Sequence, residues 1–302
     1  MLGIVYAGCF YVPVNPMNPT ERLRKIMEKL DPEVIISDEK GKEQLAAVGN
    51  GLENKVMGPE ALTTAKGTEL SEEQYSRLEQ IQGQWKETDV LYGIFTSGST
   101  GTPKAIVVSH GAASRFIRHF TEIFEITSAD VIGNQAPFDF DVSVKDIYSS
   151  IMTGAQLVLI PKEYFSTPPR LLDYLCDKKV TNLTWAVSAL TLVSALKGLN
   201  YRVPESVKRV MFSGEAMPPK QLRIWQEKLP EAKFVNLYGP TEITCNCTYF
   251  PIERQYEDSE KIPAGKAFPG RRVILVRRGR QTGRSEPGCY KGEIRGYGRR
   301  IL

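Results

Sequence analysis

Short apolar runs alternate with amphipathic segments along most of this 302-residue chain. An apolar run of four to six residues has the length of a buried strand, whereas apolar residues at i, i+3, i+4 and i+7 form one face of a helix. Phe116, Ile117, Phe120, Ile123 and Phe124 mark such a face over about residues 112–125. Val144, Ile147, Tyr148, Ile151 and Met152 mark another over about 144–153. Strands are predicted at 34–36, 91–96, 105–108, 157–160, 183–186, 207–212 and 234–237. Helices near 169–178, 189–197 and 218–228 separate the later strands. An earlier helix runs through Leu30, with Asn18 read as its cap and Pro19 as its first residue. Residues 49–88 are read as loops with one or two surface helices. Strands joined through helices pair in parallel, so the predicted class is α/β, with layered, mostly parallel sheets flanked by helices.

Composition excludes several alternatives. Hydrophobic residues make up 41% and charged residues 25%, as in an ordinary globular chain. No apolar run reaches the length of a membrane span, and the opening residues lack the pattern of a secretory signal. Five scattered cysteines (Cys9, Cys176, Cys245, Cys247 and Cys289) point to reduced thiols and a cytoplasmic protein. Two histidines argue against a His-rich metal site. The net charge of +4 is unevenly spread: residues 271–302 carry +8 and the other 270 carry −4. The basic segment has no regularly spaced aromatics, so nucleic acid is not an expected partner, and neither is a membrane.

Between two predicted strands lies Thr96-Ser97-Gly98-Ser99-Thr100-Gly101-Thr102-Pro103-Lys104. Glycines let a backbone approach a polyphosphate, N–H groups and hydroxyls donate to it, and a lysine adds charge. A polar hairpin loop has the same composition. The Walker pattern fails here: Pro103 stands where its second glycine belongs, Ala105 follows Lys104, and a strand rather than a helix comes next.

Five strings together resemble the AMP-forming adenylate synthetases, specifically their amino-acid adenylation domains. These are Tyr11-Val12-Pro13-Val14-Asn15-Pro16 after Ala7-Gly8, the Thr96–Lys104 loop, Phe140-Asp141-Val142-Ser143, Ser213-Gly214-Glu215, and Asn236-Leu237-Tyr238-Gly239-Pro240-Thr241-Glu242. Their order and spacing over residues 7–270 match that family. The resemblance implies ATP-dependent activation of a small amino acid to an aminoacyl-adenylate, with release of pyrophosphate. Transfer to the phosphopantetheine thiol of a carrier protein would follow. ATP and Mg²⁺ are the implied cofactors. The alternative is an inactive fragment or nucleotide-binding remnant of such an enzyme.

The resemblance also assigns roles. Thr96, Ser97, Gly98, Ser99, Thr100, Gly101 and Lys104 would wrap the phosphates. Gly214, Glu215, Asn236, Leu237, Tyr238 and Gly239 would line the nucleotide, with Tyr238 stacked on adenine. Thr241 would sit beside the α-phosphate and Glu242 would hold Mg²⁺; with Lys104 these are the expected catalytic residues. Asp141 would pair with the substrate's α-ammonium, although a carboxylate also suits a helix start. Val142, Trp185, Met211, Ser213, Leu237 and Cys245 would line the side-chain pocket, and Trp185 would keep it small. Lys145 and Asn246 fall at further pocket positions, but Lys145 is read first as a solvated surface charge. Ser143 and Asp146 fit a helix capping box, Cys245–Cys247 a strand, and His110 a structural role.

The stretch Phe138–Tyr148 is particularly similar to D-alanine–carrier protein ligases, which usually have Cys where Ser213 stands. A partial large domain is expected at 1–250, and the start of a β-rich subdomain with a basic tail at 251–302. The family's Thr-Gly-Asp motif and its mobile C-terminal domain have no counterpart in these residues.

Overall fold

The computed structural model describes residues 1–64, 69–96, 103–276, 291–294 and 299–300. Packing divides the chain into two compact units, one of residues 1–111 with 299–302 and one of residues 112–298. The boundary expected at residue 250 falls inside the second unit, within a continuous run of sheet pairing.

The first unit opens with α1 (Leu2–Tyr6) and α2 (Thr20–Leu30). Helix α2 begins one residue later than its proline suggests, buries Leu23, Ile26 and Met27, and ends where Asp31 turns left-handed. The short parallel pair β1 (Ile35–Ile36) and β2 (Val56–Met57) flanks α3 (Glu39–Val48). Leu45, Val48 and Leu52 pack there against Leu23 and Met27. Helices α4 (Pro59–Thr64) and α5 (Glu72–Gly83) follow, α5 starting with a Ser71–Gln74 capping box. The hairpin β3 (Val90–Thr96) and β4 (Lys104–Ser109) then carries the glycine-rich loop.

The second unit takes in most of α6 (His110–Ile123), then β5 (Val131–Asn134), α7 (Val142–Thr153) and β6 (Gln156–Leu159). Next come α8 (Pro168–Asp177), β7 (Asn182–Ala186), α9 (Val187–Ala195), β8 (Arg209–Ser213), α10 (Pro219–Lys228) and β9 (Lys233–Tyr238). Strands β10 (Thr248–Ile252) and β11 (Lys266–Ala267) close a seven-stranded sheet of order β11-β10-β9-β8-β7-β5-β6. The five strands from β6 to β9 are parallel, and β10 and β11 are antiparallel additions. Beyond them, β12 (Val273–Val276) pairs with β13 (Lys291–Ile294), and β14 (Arg299–Arg300) pairs with β4 in the first unit.

Side chains alternate across a strand, and here the alternation separates two layers. On one face Leu183, Trp185, Val210, Phe212 and Phe234 join the core made with α8, α9 and α10. On the other, Thr184 and Met211 face α7, in register across β7 and β8. Phe116, Phe120 and Phe124 of α6 meet Tyr249 and Phe268 in an aromatic cluster. Loops leaving the C-terminal ends of the parallel strands bear Asp141, Gly214–Glu215 and Gly239–Glu242. That edge is where open α/β sheets bind ligands.

Candidate active site

Two expected phosphate residues lie in the first unit. Thr96 and Lys104 stand directly opposite each other at the base of the β3–β4 hairpin, with the Lys104 side chain exposed. Ser97, Gly98, Ser99, Thr100 and Gly101 lie outside the described residues.

The remaining expected residues belong to the second unit. Gly214 follows β8 with φ of +99°, a backbone conformation that L side chains rarely adopt. Glu215 is exposed beside it, on a surface groove shared with Val187, Ser188, Thr191 and Lys220. Asn236 donates to the carbonyl of Pro263 at 2.9 Å, and Tyr238 at the end of β9 is half-exposed. Gly239 packs its backbone against another: a Cβ there would lie 2.6 Å from Asn246 Cα and 2.6 Å from Cys247 N. Only glycine lets this turn close on the 245–247 loop. Thr241 and Glu242 start the single helical turn that follows, with Glu242 exposed.

Asp141 occupies the N-cap position of α7 but caps nothing with its side chain. Its carboxylate instead takes hydrogen bonds from the Thr241 side chain and the Val142 N–H, so the α7 start and the Tyr238–Glu242 turn meet at one acid. Burial pushes its carboxyl above the ordinary range, against the opposing pull of Lys145. Cys245 Sγ donates to the Asp141 carbonyl at 3.1 Å.

Lys145 is not a surface charge. It is fully buried, and its Nζ donates to Asn246 Oδ1 at 2.6 Å. Burial lowers its pKa, while Cys245, Asp141 and Asp146 pull the other way. Asp146 and Ser143 do not form a capping box either. Asp146 is buried, accepts from Asn134 Nδ2 at 2.9 Å and from the Thr184 side chain, and is pushed up by burial to about 7. Ser143 donates to the Phe140 carbonyl at 2.8 Å.

Trp185 stands apart from this cluster. Its ring meets Phe165 edge-on at 5.0 Å in the opposite core, and its Nε1 donates to the Gly133 carbonyl. Thr184, one residue earlier, is the β7 side chain that faces α7, where it donates to Asp146. Met211, Ser213 and Leu237 are buried on the Thr184 face, as the register of β7, β8 and β9 requires. Cys245–Cys247 is no strand: Thr244 and Cys245 both have positive φ, +65° and +63°. Arg271 secures that bend by donating to the carbonyls of Thr244 and Asn246, with its guanidinium 4.6 Å from the Phe116 ring centre. Thr184, Asp146 and Arg271 were missed as contributors, since each enters through contacts distant in sequence. His110 starts α6 and stacks on Trp85 at 5.8 Å, in keeping with a structural role.

The chain's sequence matches the profile of AMP-binding enzymes over residues 1–299. It belongs to that family. Tyrocidine synthase 3 of Brevibacillus parabrevis is 32% identical over 99% of this chain, which covers 4% of that protein. The D-alanine--D-alanyl carrier protein ligase of Staphylococcus epidermidis is 30% identical over 92% of the chain. The chain spans 54% of that ligase, about half its length. Among solved structures, IdnL7 superposes with a TM-score of 0.72 at 26% identity, covering 91% of this chain and 56% of that one. Among the described residues of this AMP-binding chain, no helix is long and apolar enough to cross a membrane, and no three His, Cys, Asp or Glu side chains cluster as a metal site.

Proposed function

We propose that this chain forms the nucleotide- and amino-acid-binding part of an enzyme that activates an amino acid with ATP. The product is an aminoacyl-adenylate, pyrophosphate leaves, and the aminoacyl group passes to a carrier protein's phosphopantetheine thiol. The family and the carrier-protein ligases among its relatives support this reading.

The observation that carries it is Asp141. A half-buried carboxylate at the C-terminal edge of a parallel sheet, tied to Thr241 of the Tyr238–Glu242 turn, suits an ammonium held next to a nucleotide. Only the ionised acid binds an ammonium well. Since burial has raised its pKa, ligand binding should weaken as pH falls through that raised value. In the second unit, Tyr238 would stack on adenine and Thr241 would touch the α-phosphate. Mg²⁺ binds through one or two carboxylates and completes its shell with water and phosphate oxygens. The single exposed carboxylate of Glu242 fits that demand, and the ion would neutralise charge on the leaving pyrophosphate.

Asp141→Asn tests the reading. It removes a charge-assisted hydrogen bond of about 1.5–3 kcal/mol, so amino-acid binding and amino-acid-dependent ATP–pyrophosphate exchange should fall roughly 10- to 100-fold. Binding of a non-hydrolysable ATP analogue should stay within about twofold. If both ligands bind the variant as they bind the parent chain, Asp141 is not the ammonium site. If the parent chain binds the ATP analogue but no amino acid, it is a nucleotide-binding remnant.

A further inference from the structure

The Lys145 side chain is fully buried, and among the described residues its Nζ makes one hydrogen bond and no ion pair. Burying a charge without a close counter-charge is expensive, and proteins retain such groups where a ligand completes them. The nearby acids are already engaged: Asp141 by Thr241 and the Val142 N–H, Asp146 by Asn134 and Thr184.

We propose that the site at Asp141 selects an amino acid with a carboxylate in its side chain, and that Lys145 is the cation that selects it. This rests on the adenylation reading of the same site. Asp141 and Lys145 are one turn apart on α7, about 6 Å along the helix axis. Residues one turn apart share a face of the helix, so both groups border the same site. The α-ammonium then meets Asp141, the distal carboxylate meets Lys145, and the α-carboxylate stays available to attack ATP. Asn246 holds the Lys145 ammonium in place, and Ser213 adds a hydroxyl on the sheet face that looks toward α7. An amino acid with a neutral side chain brings its ammonium toward Asp141 with the Lys145 cation one turn away and supplies no carboxylate to offset it. That like-charge contact rejects it.

The test uses the chain as it stands. Binding of aspartate, glutamate, asparagine, alanine and glycine is measured by saturation-transfer NMR, with ATP–pyrophosphate exchange in parallel. The parent chain is compared with Lys145→Met, which keeps the apolar stem and removes the buried charge, and with Lys145→Arg, which keeps the charge. Aspartate or glutamate should bind at least tenfold more tightly than asparagine or alanine. Lys145→Met should erase that preference, while Lys145→Arg retains part of it. Thermal melts establish that each variant is folded. If alanine or glycine is preferred by the parent chain and by Lys145→Met alike, the Lys145 proposal is overturned while adenylation stands. If no amino acid binds the parent chain, the adenylation reading fails and takes this one with it.

Discussion

Asp146 shows what one buried acid does to a protein's pH response. Its folded pKa of about 7 lies above the ordinary 3.8, so folding favours its protonated form. Its contribution to stability is therefore complete below about pH 4, declines as pH rises toward 7, and is level above that. Between pH 5 and 8 the loss should be on the order of 2–3 kcal/mol. Asp146→Asn keeps an acceptor for Asn134 but has no charge to bury, so its stability should be flatter over this range. Urea unfolding at the two pH values compares the proteins directly, and equal losses would remove Asp146 from the account. Lys145 also shows what local sequence can hide. A lysine four residues into a helix reads as a surface charge. It is buried because Asn246, 101 residues away in sequence, accepts its hydrogen bond. No local pattern reports such a contact.

At the scale of elements, the 244–246 bend is fixed from outside itself. Arg271 supplies donors to the Thr244 and Asn246 carbonyls, on either side of the buried Cys245. Arg271→Met leaves both carbonyls without that donor at a cost of about 1–3 kcal/mol. The bend should open roughly 10- to 100-fold more often. Iodoacetamide labelling mapped by mass spectrometry should show Cys245 reacting faster by that factor, with exposed Cys9 unchanged. Unchanged Cys245 labelling would mean that the bend holds without Arg271. Most helices and strands were legible because their apolar spacing is regular, and the nucleotide strings could be placed at strand ends. Strand β5 escaped notice because Gly133 and Asn134 interrupt its short apolar run. The Trp185 assignment slipped by one position for a different reason. Asn182, Leu183, Thr184 and Trp185 are all buried, so the strand has no polar–apolar alternation to say which face each side chain takes.

Across the whole second unit, the two ends of the sheet are built differently. At the N-terminal end, Arg209 bonds Asp130, Asn182 and the Glu125 carbonyl, at distances of 2.8–3.0 Å. The ion pair is largely buried, with 11% and 4% of the side chains exposed. Arg209→Met strands the Asp130 carboxylate and should cost about 3–5 kcal/mol, read as a lower denaturation midpoint. A midpoint unchanged by the substitution would show that Thr127 and Thr181 alone satisfy Asp130. The C-terminal end, by contrast, is made of turns carrying the residues proposed to bind ligands. The sheet faces are divided as well: Trp185, Phe212 and Phe234 on one side lie in the main core, while Thr184 and Met211 on the other look toward α7. Inherited changes on these two sides therefore have separate fates. On the proposed reading, drift at Thr184, Met211 or Lys145 would alter what is chosen while the Trp185 side keeps the chain foldable, so new preferences would arise among descendants without a new scaffold.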